Sequence, residues 1–152
     1  MKPTLIFICL LVSSLSFSAF AQKSGLQDKP AKTIHFKEVF TNVSIDDDVN
    51  VILSEGSSDK VVVEGDVKAT VVDGHLYVSA RNPRLAYGMK VYVPASFLTR
   101  IYMNGNGSLT SANILSNQKM KIYLAAEARI DIRSTGNVTV ETVDNIQFVK
   151  GR

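Results

Sequence analysis

The chain has 152 residues, of which 45% are hydrophobic, and a formal net charge of +3. This is the length of a single domain, large enough to bury a sizeable hydrophobic core. The 17 basic and 14 acidic residues are spread along the chain without a basic block, so the sequence lacks the electrostatic footprint of a nucleic-acid-binding or anionic-membrane-binding protein.

The N-terminus has the organisation of an export signal. Lys2 provides a short positive n-region, residues 5–15 form a mostly apolar h-region, and the letters AFA ending at Ala21 form a small-x-small cleavage site. We predict a signal peptide over residues 1–21, cut before Gln22, and a protein exported to the periplasm, the cell surface or the medium. No later apolar run approaches the roughly 20 residues of a membrane-spanning helix, so no transmembrane segment is expected after signal removal.

The remaining chain is predicted to be one domain without disulfides. Cys9 is the only cysteine and lies within the predicted signal, so the exported chain would depend on its hydrophobic core and backbone hydrogen bonds. Residues 22–33 are polar and have no apolar period, which indicates a flexible leader. We place the folded domain at residues 34–150.

From residue 34 onward the sequence predicts a series of short β-strands. Four segments are rich in β-branched or alternating apolar residues and are bounded by turn-forming clusters: 34–40, 49–53, 60–65 and 89–94. Asp73-Gly74 lies between two further apolar runs and predicts an antiparallel hairpin, because both central residues of a type I′ turn need positive φ. Residues 111–121 are the best helix candidate, but their Asn and Ser content favours a loop. The chain is therefore predicted to be all-β.

One stretch is nearly repeated at an offset of 21 residues. IYMNGNGSLTS at 101–111 is followed by IYLAAEARIDI at 122–132, so that apolar residues match apolar residues and Tyr102 matches Tyr123. Repeats of this length are typical of stacked architectures. About 21 extended residues trace a path of roughly 70 Å, enough for one coil of a β-solenoid with three short faces, the next coil lying about 4.8 Å above it.

Alternation along a strand then predicts which side chains point inward. These are Ile101, Met103, Ile122 and Leu124 on one face and Leu109 and Ile130 on the adjacent one. The Gly or Ala between the faces would form the corner, and residues 137–143 look like a third, shortened copy. A leucine-rich repeat has a similar period, but its consensus is absent. An antiparallel sandwich is the other alternative. We favour antiparallel strands in the N-terminal half leading into β-helical coils.

The order and spacing of these segments resemble the GIN domain, a family of exported bacterial proteins that is common in the Bacteroidetes and is regarded as the head of auto-transporter adhesins. The resemblance runs from about Val39 to Asn145. The segments that carry it are 49–66, 71–78, 90–94, 98–110 and the echo at 120–132. It implies a right-handed β-helix-like fold and a cell-envelope or surface location. The family's Ser-Gly-Ala/Ser-Gly corner has lost both glycines at 125–128, which counts against positive φ there.

Catalytic and metal-binding signatures are not found in the sequence. Two histidines without a cysteine outside the signal make no zinc set, and a G-x-S-x-G nucleophile elbow is absent. Asp46–Asp48 form the densest carboxylate group, but they lack the spacing of a calcium loop and are interpreted as a solvated turn. Asp131, between two arginines, is the nearest approach to a glycan-cleaving site. We predict no catalytic residues, no metal and no cofactor.

The remaining feature is an outward column of tyrosines and cations. In the predicted register Tyr102 lies beside Tyr123 and Arg100 beside Lys121, a candidate binding site for a sugar or an extended peptide. The alternative is an ordinary cross-strand pair that stabilises the sheet by under about 1 kcal/mol. We expect a non-enzymatic surface-interaction or adhesin-type module, with a glycan or surface protein as partner. The alternatives are a polysaccharide-active enzyme that uses Asp131 and a self-associating structural protein of the envelope.

Overall fold

The computed structural model of the chain describes residues 30–116 and 119–143, which form an all-β domain. Within these ranges the only helical element is a 3₁₀ turn, Pro83–Leu85, and no helix is long and apolar enough to cross a membrane. The strands are β1 (Ala31–His35), β2 (Asn42–Ile45), β3 (Asn50–Ser54), β4 (Lys60–Glu64), β5 (Val67–Val72), β6 (His75–Ala80), β7 (Lys90–Pro94), β8 (Arg100–Met103), β9 (Ser108–Ser111), β10 (Lys119–Leu124), β11 (Arg129–Asp131) and β12 (Asn137–Thr142).

The strands form two mixed six-stranded sheets, neither of which closes on itself. Sheet A has the order β1-β4-β7-β3-β9-β11, and sheet B has the order β12-β10-β8-β2-β6-β5. Pairing is parallel along two runs of strands, β7-β3-β9-β11 in sheet A and β12-β10-β8-β2-β6 in sheet B, because the chain repeatedly crosses from sheet B to sheet A at a corner. We call a sheet B strand together with the sheet A strand that follows it in the chain a coil. The four coils are β2–β3, β6–β7, β8–β9 and β10–β11.

The coils do not stack in the order of the sequence. β2–β3 comes first in the chain, yet it lies between β6–β7 and β8–β9. Val43 of β2 is accordingly paired with Leu76 on one side and with Ile101 on the other. Only the later coils follow chain order, and a regular offset is therefore visible in the sequence only there.

The predicted 21-residue register is confirmed. Ile101 is paired with Ile122 and Tyr102 with Tyr123 in sheet B, and Leu109 is paired with Ile130 in sheet A. The third predicted face has no strand in the described residues and is reduced to an isolated parallel bridge between Leu115 and Ser134. The shortened third copy is β12, which pairs in parallel with β10.

The core lies between the two sheets and is built from their inward side chains. All six residues predicted to point inward do so. Ile101, Met103, Leu109 and Ile122 have no exposed surface, and Leu124 and Ile130 are partly buried against the same cluster. The outward residues of β8 and β10 are polar or aromatic, so each strand has one buried and one solvated face.

The antiparallel pairing predicted for the N-terminal half is also confirmed. β5 and β6 form a hairpin whose central residues, Asp73 and Gly74, have φ of 51° and 71°. Positive φ at both positions is the requirement of a type I′ turn. On sheet A, β4 pairs antiparallel with both β1 and β7.

The start of the domain differs from the expectation in two places. β1 begins at Ala31, so it includes three residues of the predicted leader, and it ends at His35 rather than continuing to Phe40. β2 was not predicted, because its four letters NVSI are too short to show a period. The predicted signal peptide, its cleavage site and residues 144–150 of the predicted domain lie outside the described residues.

The first repeat corner needs glycine for space and not for positive φ. A Cβ on Gly105 would lie 1.7 Å from the carbonyl oxygen of Asp47, and one on Gly107 would lie 2.1 Å from that of Val49. Neither glycine has positive φ. The corner of β8–β9 therefore lies directly against the corner of β2–β3, at a distance that excludes a side chain.

Candidate functional site: an aromatic column on the outer face of sheet B

The register of sheet B aligns outward side chains from four neighbouring strands. Tyr77 of β6 is level with Ser44 of β2, Ser44 with Tyr102 of β8, and Tyr102 with Tyr123 of β10. Because neighbouring strands are about 4.8 Å apart, aromatic side chains in such a row are within stacking distance of one another.

The rings form one continuous stack. The ring centroids of Tyr102 and Tyr123 are 4.9 Å apart with planes 12° from parallel. His75 lies 4.5 Å from Tyr77 and 5.8 Å from Tyr102, again nearly parallel to both. Ser44 is too small to join the two tyrosines beside it, and His75 takes that place, with its Nε2 2.8 Å from the Ser44 hydroxyl. We call Tyr77, His75, Tyr102 and Tyr123 the aromatic column.

Stacking determines which parts of the rings a ligand can reach. Tyr102 has His75 on one side and Tyr123 on the other, so both of its faces are covered and its edge remains. The second face of Tyr123 is turned toward β12, where Glu141 is its partner in register. The column therefore offers a row of ring edges to a ligand.

His75 lies partly buried within the column. Burial lowers the pKa of His75 below its ordinary value, because the stacked rings replace water that would solvate the charged imidazolium. The neutral ring has one donor and one acceptor nitrogen, and Nε2 can pair with the Ser44 hydroxyl in either role.

Three cations lie beside the β10 end of the column. Arg100 is paired with Lys121, and Lys119 precedes Lys121 by two residues on the same face of β10. Together with Thr99 they line a cavity of about 230 Å³. Lys121 Nζ is 3.5 Å from Glu141 Oε1 on β12. The structure thus brings together all four residues that the sequence nominated for binding: Arg100, Tyr102, Lys121 and Tyr123.

Sequence reasoning missed half of the aromatic column and one of its cations. His75 and Tyr77 belong to a hairpin that precedes the repeat, and they reach the repeat only because β2 is inserted between β6 and β8. The alternation of HLYV placed both side chains on one face of β6, but no local signal indicated which strand would lie beside it. Lys119 was overlooked because it lies three residues before the repeated stretch, which begins at Ile122.

The carboxylate triplet has a structural role and is not merely a solvated turn. Its three side chains accept hydrogen bonds from neighbouring coils: Asp46 from Asn104 Nδ2 at 2.8 Å, Asp47 from the Ala80 N–H at 3.0 Å and Asp48 from the Asn106 N–H at 2.8 Å. These bonds satisfy groups that the corner removes from the strand ladders. No cluster of metal-ligating side chains is found in the described part of the chain.

Asp131 lies at an exposed edge of sheet A. It is paired in register with Thr110, and within the described residues no ion pair joins it to Arg129 or Arg133. A glycosidase needs two carboxyl groups about 5–10 Å apart across the scissile bond. The neighbours of Asp131 in register supply no second carboxyl group.

Two larger cavities, of about 490 and 420 Å³, lie between the edge strands β1 and β5. They share Ile34, Ala69 and Thr70 in their lining and open along the end where the two sheets stop. One ion pair, Arg81 with Asp66, joins exposed side chains at the margin. Volume alone does not define a binding site, and this groove lacks the convergence of aromatic and charged groups that the column has.

The fold and its outer face define the class of protein: an all-β domain of stacked coils with a polar and aromatic surface on one sheet. The model of the family described as "Putative auto-transporter adhesin, head GIN domain" matches residues 39–149, and the chain belongs to this family. The resemblance inferred from the sequence is confirmed.

Solved structures of the same fold come from bacterial proteins of low sequence identity. A putative adhesin from Parabacteroides merdae is 15% identical with a TM-score of 0.56, over 78% of this chain and 54% of that one. A putative lipid binding protein from Parabacteroides distasonis is 12% identical with a TM-score of 0.53, over 78% and 61%. A putative adhesin from Bacteroides fragilis is 17% identical with a TM-score of 0.50, over 74% and 62%.

This chain therefore spans between half and two thirds of the length of these proteins. No curated protein matches it.

Proposed function

We propose that this protein is an exported, non-enzymatic interaction domain of the cell envelope or surface, and that it binds glycans through the aromatic column and the cations beside it. The proposal includes the right-handed winding that the family resemblance implies. The observation that carries the binding proposal is the continuous stack of four rings across the outer face of sheet B.

The column has the properties of a preformed binding face. Its rings are held by strand register and by mutual stacking, so little side-chain entropy is lost when a ligand binds. The ring edges offer apolar contacts to a sugar, and the phenol groups offer hydrogen bonds to its hydroxyls. A row of such groups at strand spacing suits an extended chain better than a compact molecule.

The family supports the interaction role, and the export signal predicted from the sequence supports the location. The matched family is described as an adhesin head, and two of the structural relatives above are putative adhesins. Catalysis is not proposed, because most glycosidases use a pair of carboxyl groups and Asp131 has no partner carboxyl group in register.

The test is a glycan array followed by calorimetric titration of the strongest oligosaccharide. We expect Tyr102→Ala and Tyr123→Ala each to weaken binding about tenfold, the effect of removing a contact of about 1.4 kcal/mol. The matched control is Tyr87→Ala. Tyr87 is 90% exposed, more than any residue of the column, but it lies on the loop between β6 and β7 outside the stack.

Two results would reject the proposal. One is the absence of binding to any glycan on the array. The other is unchanged affinity in both column variants while circular dichroism shows that they remain folded. Turnover of a bound glycan that disappears in Asp131→Asn would establish the enzymatic alternative instead.

A further inference from the structure

We infer that the site selects anionic glycans, and that the cavity formed by Thr99, Arg100, Lys119 and Lys121 receives a carboxylate carried by a sugar bound against Tyr123. This inference rests on the proposed function and specifies its ligand class. It is carried by the position, charge and size of the cavity.

The local charge balance favours an anion. Three cations line the cavity, and Glu141 is the one carboxylate that the described residues bring into an ion pair with any of them. The cavity thus retains an excess of two positive charges. Arg100 and Lys119 have no carboxylate within ion-pair distance in residues 30–116 and 119–143, so their charges remain available to a ligand.

The cavity and the edge of the Tyr123 ring are close enough for one ligand to contact both. Lys121 and Tyr123 are two residues apart on the same face of β10, a separation of roughly 7 Å along the strand. Arg100 and Tyr102 have the same relation on β8. A sugar in contact with the edge of the Tyr123 ring therefore has the cations immediately beside it.

The size of the cavity suits a substituent and not a whole ligand. At about 230 Å³ it is smaller than the roughly 300–1,000 Å³ typical of pockets that enclose a small molecule. A carboxylate and the carbon that carries it would enter, while the sugar chain remained on the open face of the sheet. Arginine in particular matches a carboxylate with two parallel N–H donors.

Glu141 occupies part of this role in the unliganded protein. Its carboxylate reaches Lys121 from β12 at 3.5 Å, and its side chain is 46% exposed. An incoming carboxylate must compete with this exposed ion pair, which is individually weak. Removing the charge of Glu141 is therefore expected to strengthen binding, the opposite of what removing any of the three cations would do.

The test compares one sugar chain with and without charge. Oligomers of galacturonic acid and their methyl esters have the same backbone, and only the free acid has carboxylates. We expect the acid to bind at least tenfold more tightly, Arg100→Gln to reduce that preference about tenfold, and Glu141→Gln to raise affinity for the acid about threefold. Lys60→Gln, an exposed lysine on β4 of sheet A, is the control and should change nothing.

Ionic strength gives a second readout. Raising it from roughly 0.01 to 0.15 M shortens the screening length from about 30 to about 8 Å, and binding of the acid should weaken while binding of the ester should not. Equal affinity for acid and ester, both lost in Tyr123→Ala, would overturn this inference and leave the proposed function standing. Equal binding of a poly-glutamate peptide would overturn glycan selection. Failure of both sugars and all array glycans to bind would reject both proposals.

Discussion

Replacing Gly107 with Ala tests whether the coils stack as closely as described. A Cβ at this position would lie 2.1 Å from the Val49 carbonyl oxygen, whereas ordinary contact begins at 3.4 Å, so the two corners must separate by about 1.3 Å. The same movement would break the 3.1 Å bond from the Ser108 N–H to Asn50 Oδ1. Overpacking of a close contact costs up to about 3 kcal/mol, and the lost hydrogen bond about 1 kcal/mol more.

We therefore expect Gly107→Ala to lower the free energy of unfolding by about 4 kcal/mol, measured by urea denaturation. Gly88→Ala is the control, because Gly88 has φ of +81° and no atom within 4 Å of its would-be Cβ. Backbone strain alone should cost that variant about 1–2 kcal/mol. If Gly107→Ala proved no more destabilising than Gly88→Ala, the corners would not be in contact and the close stacking of β8–β9 on β2–β3 would be wrong.

Further predictions concern the core, the corner bonds, the column and export. Ile101→Ala, at a fully buried site, should destabilise the fold by about 2–5 kcal/mol in the same assay, and a loss under 1 kcal/mol would contradict its inward position. Asn106→Ala removes the acceptor for the Glu127 N–H and should lower the free energy of unfolding by about 1 kcal/mol. An unchanged free energy of unfolding would contradict this contribution and would mean that water replaces the bond.

Burial lowers the pKa of His75 in the folded state, so the unfolded state binds the proton first as the pH falls. The stability that His75 contributes should therefore be complete above about pH 6.5 and be lost as the pH drops below it. His75→Gln should remove this part of the dependence of stability on pH. Mass spectrometry of the exported protein should find Gln22 as its first residue, and a retained N-terminus would contradict the predicted signal.

The part of the fold that was predicted correctly is the part in which paired strands are separated by a constant number of residues in the sequence. The offset between Ile101 and Ile122 gave the correct strand pairing, and alternation then gave the correct buried face. The hairpin at Asp73-Gly74 was predictable because its turn chemistry is local. The position of β2–β3 was not predictable, because a coil that is inserted out of chain order produces no constant offset in the sequence.

The reason why the first corner needs glycine could not be predicted from the sequence either. Gly is compatible both with positive φ and with close backbone approach, and letters alone do not distinguish the two. The alanines at 126 and 128 in the next coil showed that positive φ is not needed there. Only the Asp47 and Val49 carbonyls, which come from a coil 58 residues earlier, explain why the first corner differs.

The candidate site was predicted in part for the same reason. Tyr102, Tyr123, Arg100 and Lys121 lie within the regular repeat, so their adjacency followed from the offset. His75 joins them across the inserted coil, and its stacking depends on the small side chain of Ser44 in between. Because Ser44 on the unpredicted strand β2 is small, His75 can stack between Tyr77 and Tyr102, and the column has four rings and not two.

The most direct test of the glycan-binding face is an NMR titration of the five tyrosine rings with galacturonic acid oligomers. The rings of Tyr102 and Tyr123 should shift with the ligand, whereas Tyr87 on its exposed loop and Tyr92, whose hydroxyl is bonded to Glu64 on sheet A, should stay unchanged. Shifts confined to Tyr87 or Tyr92, or spread equally over all five rings, would contradict the assignment of binding to the aromatic column.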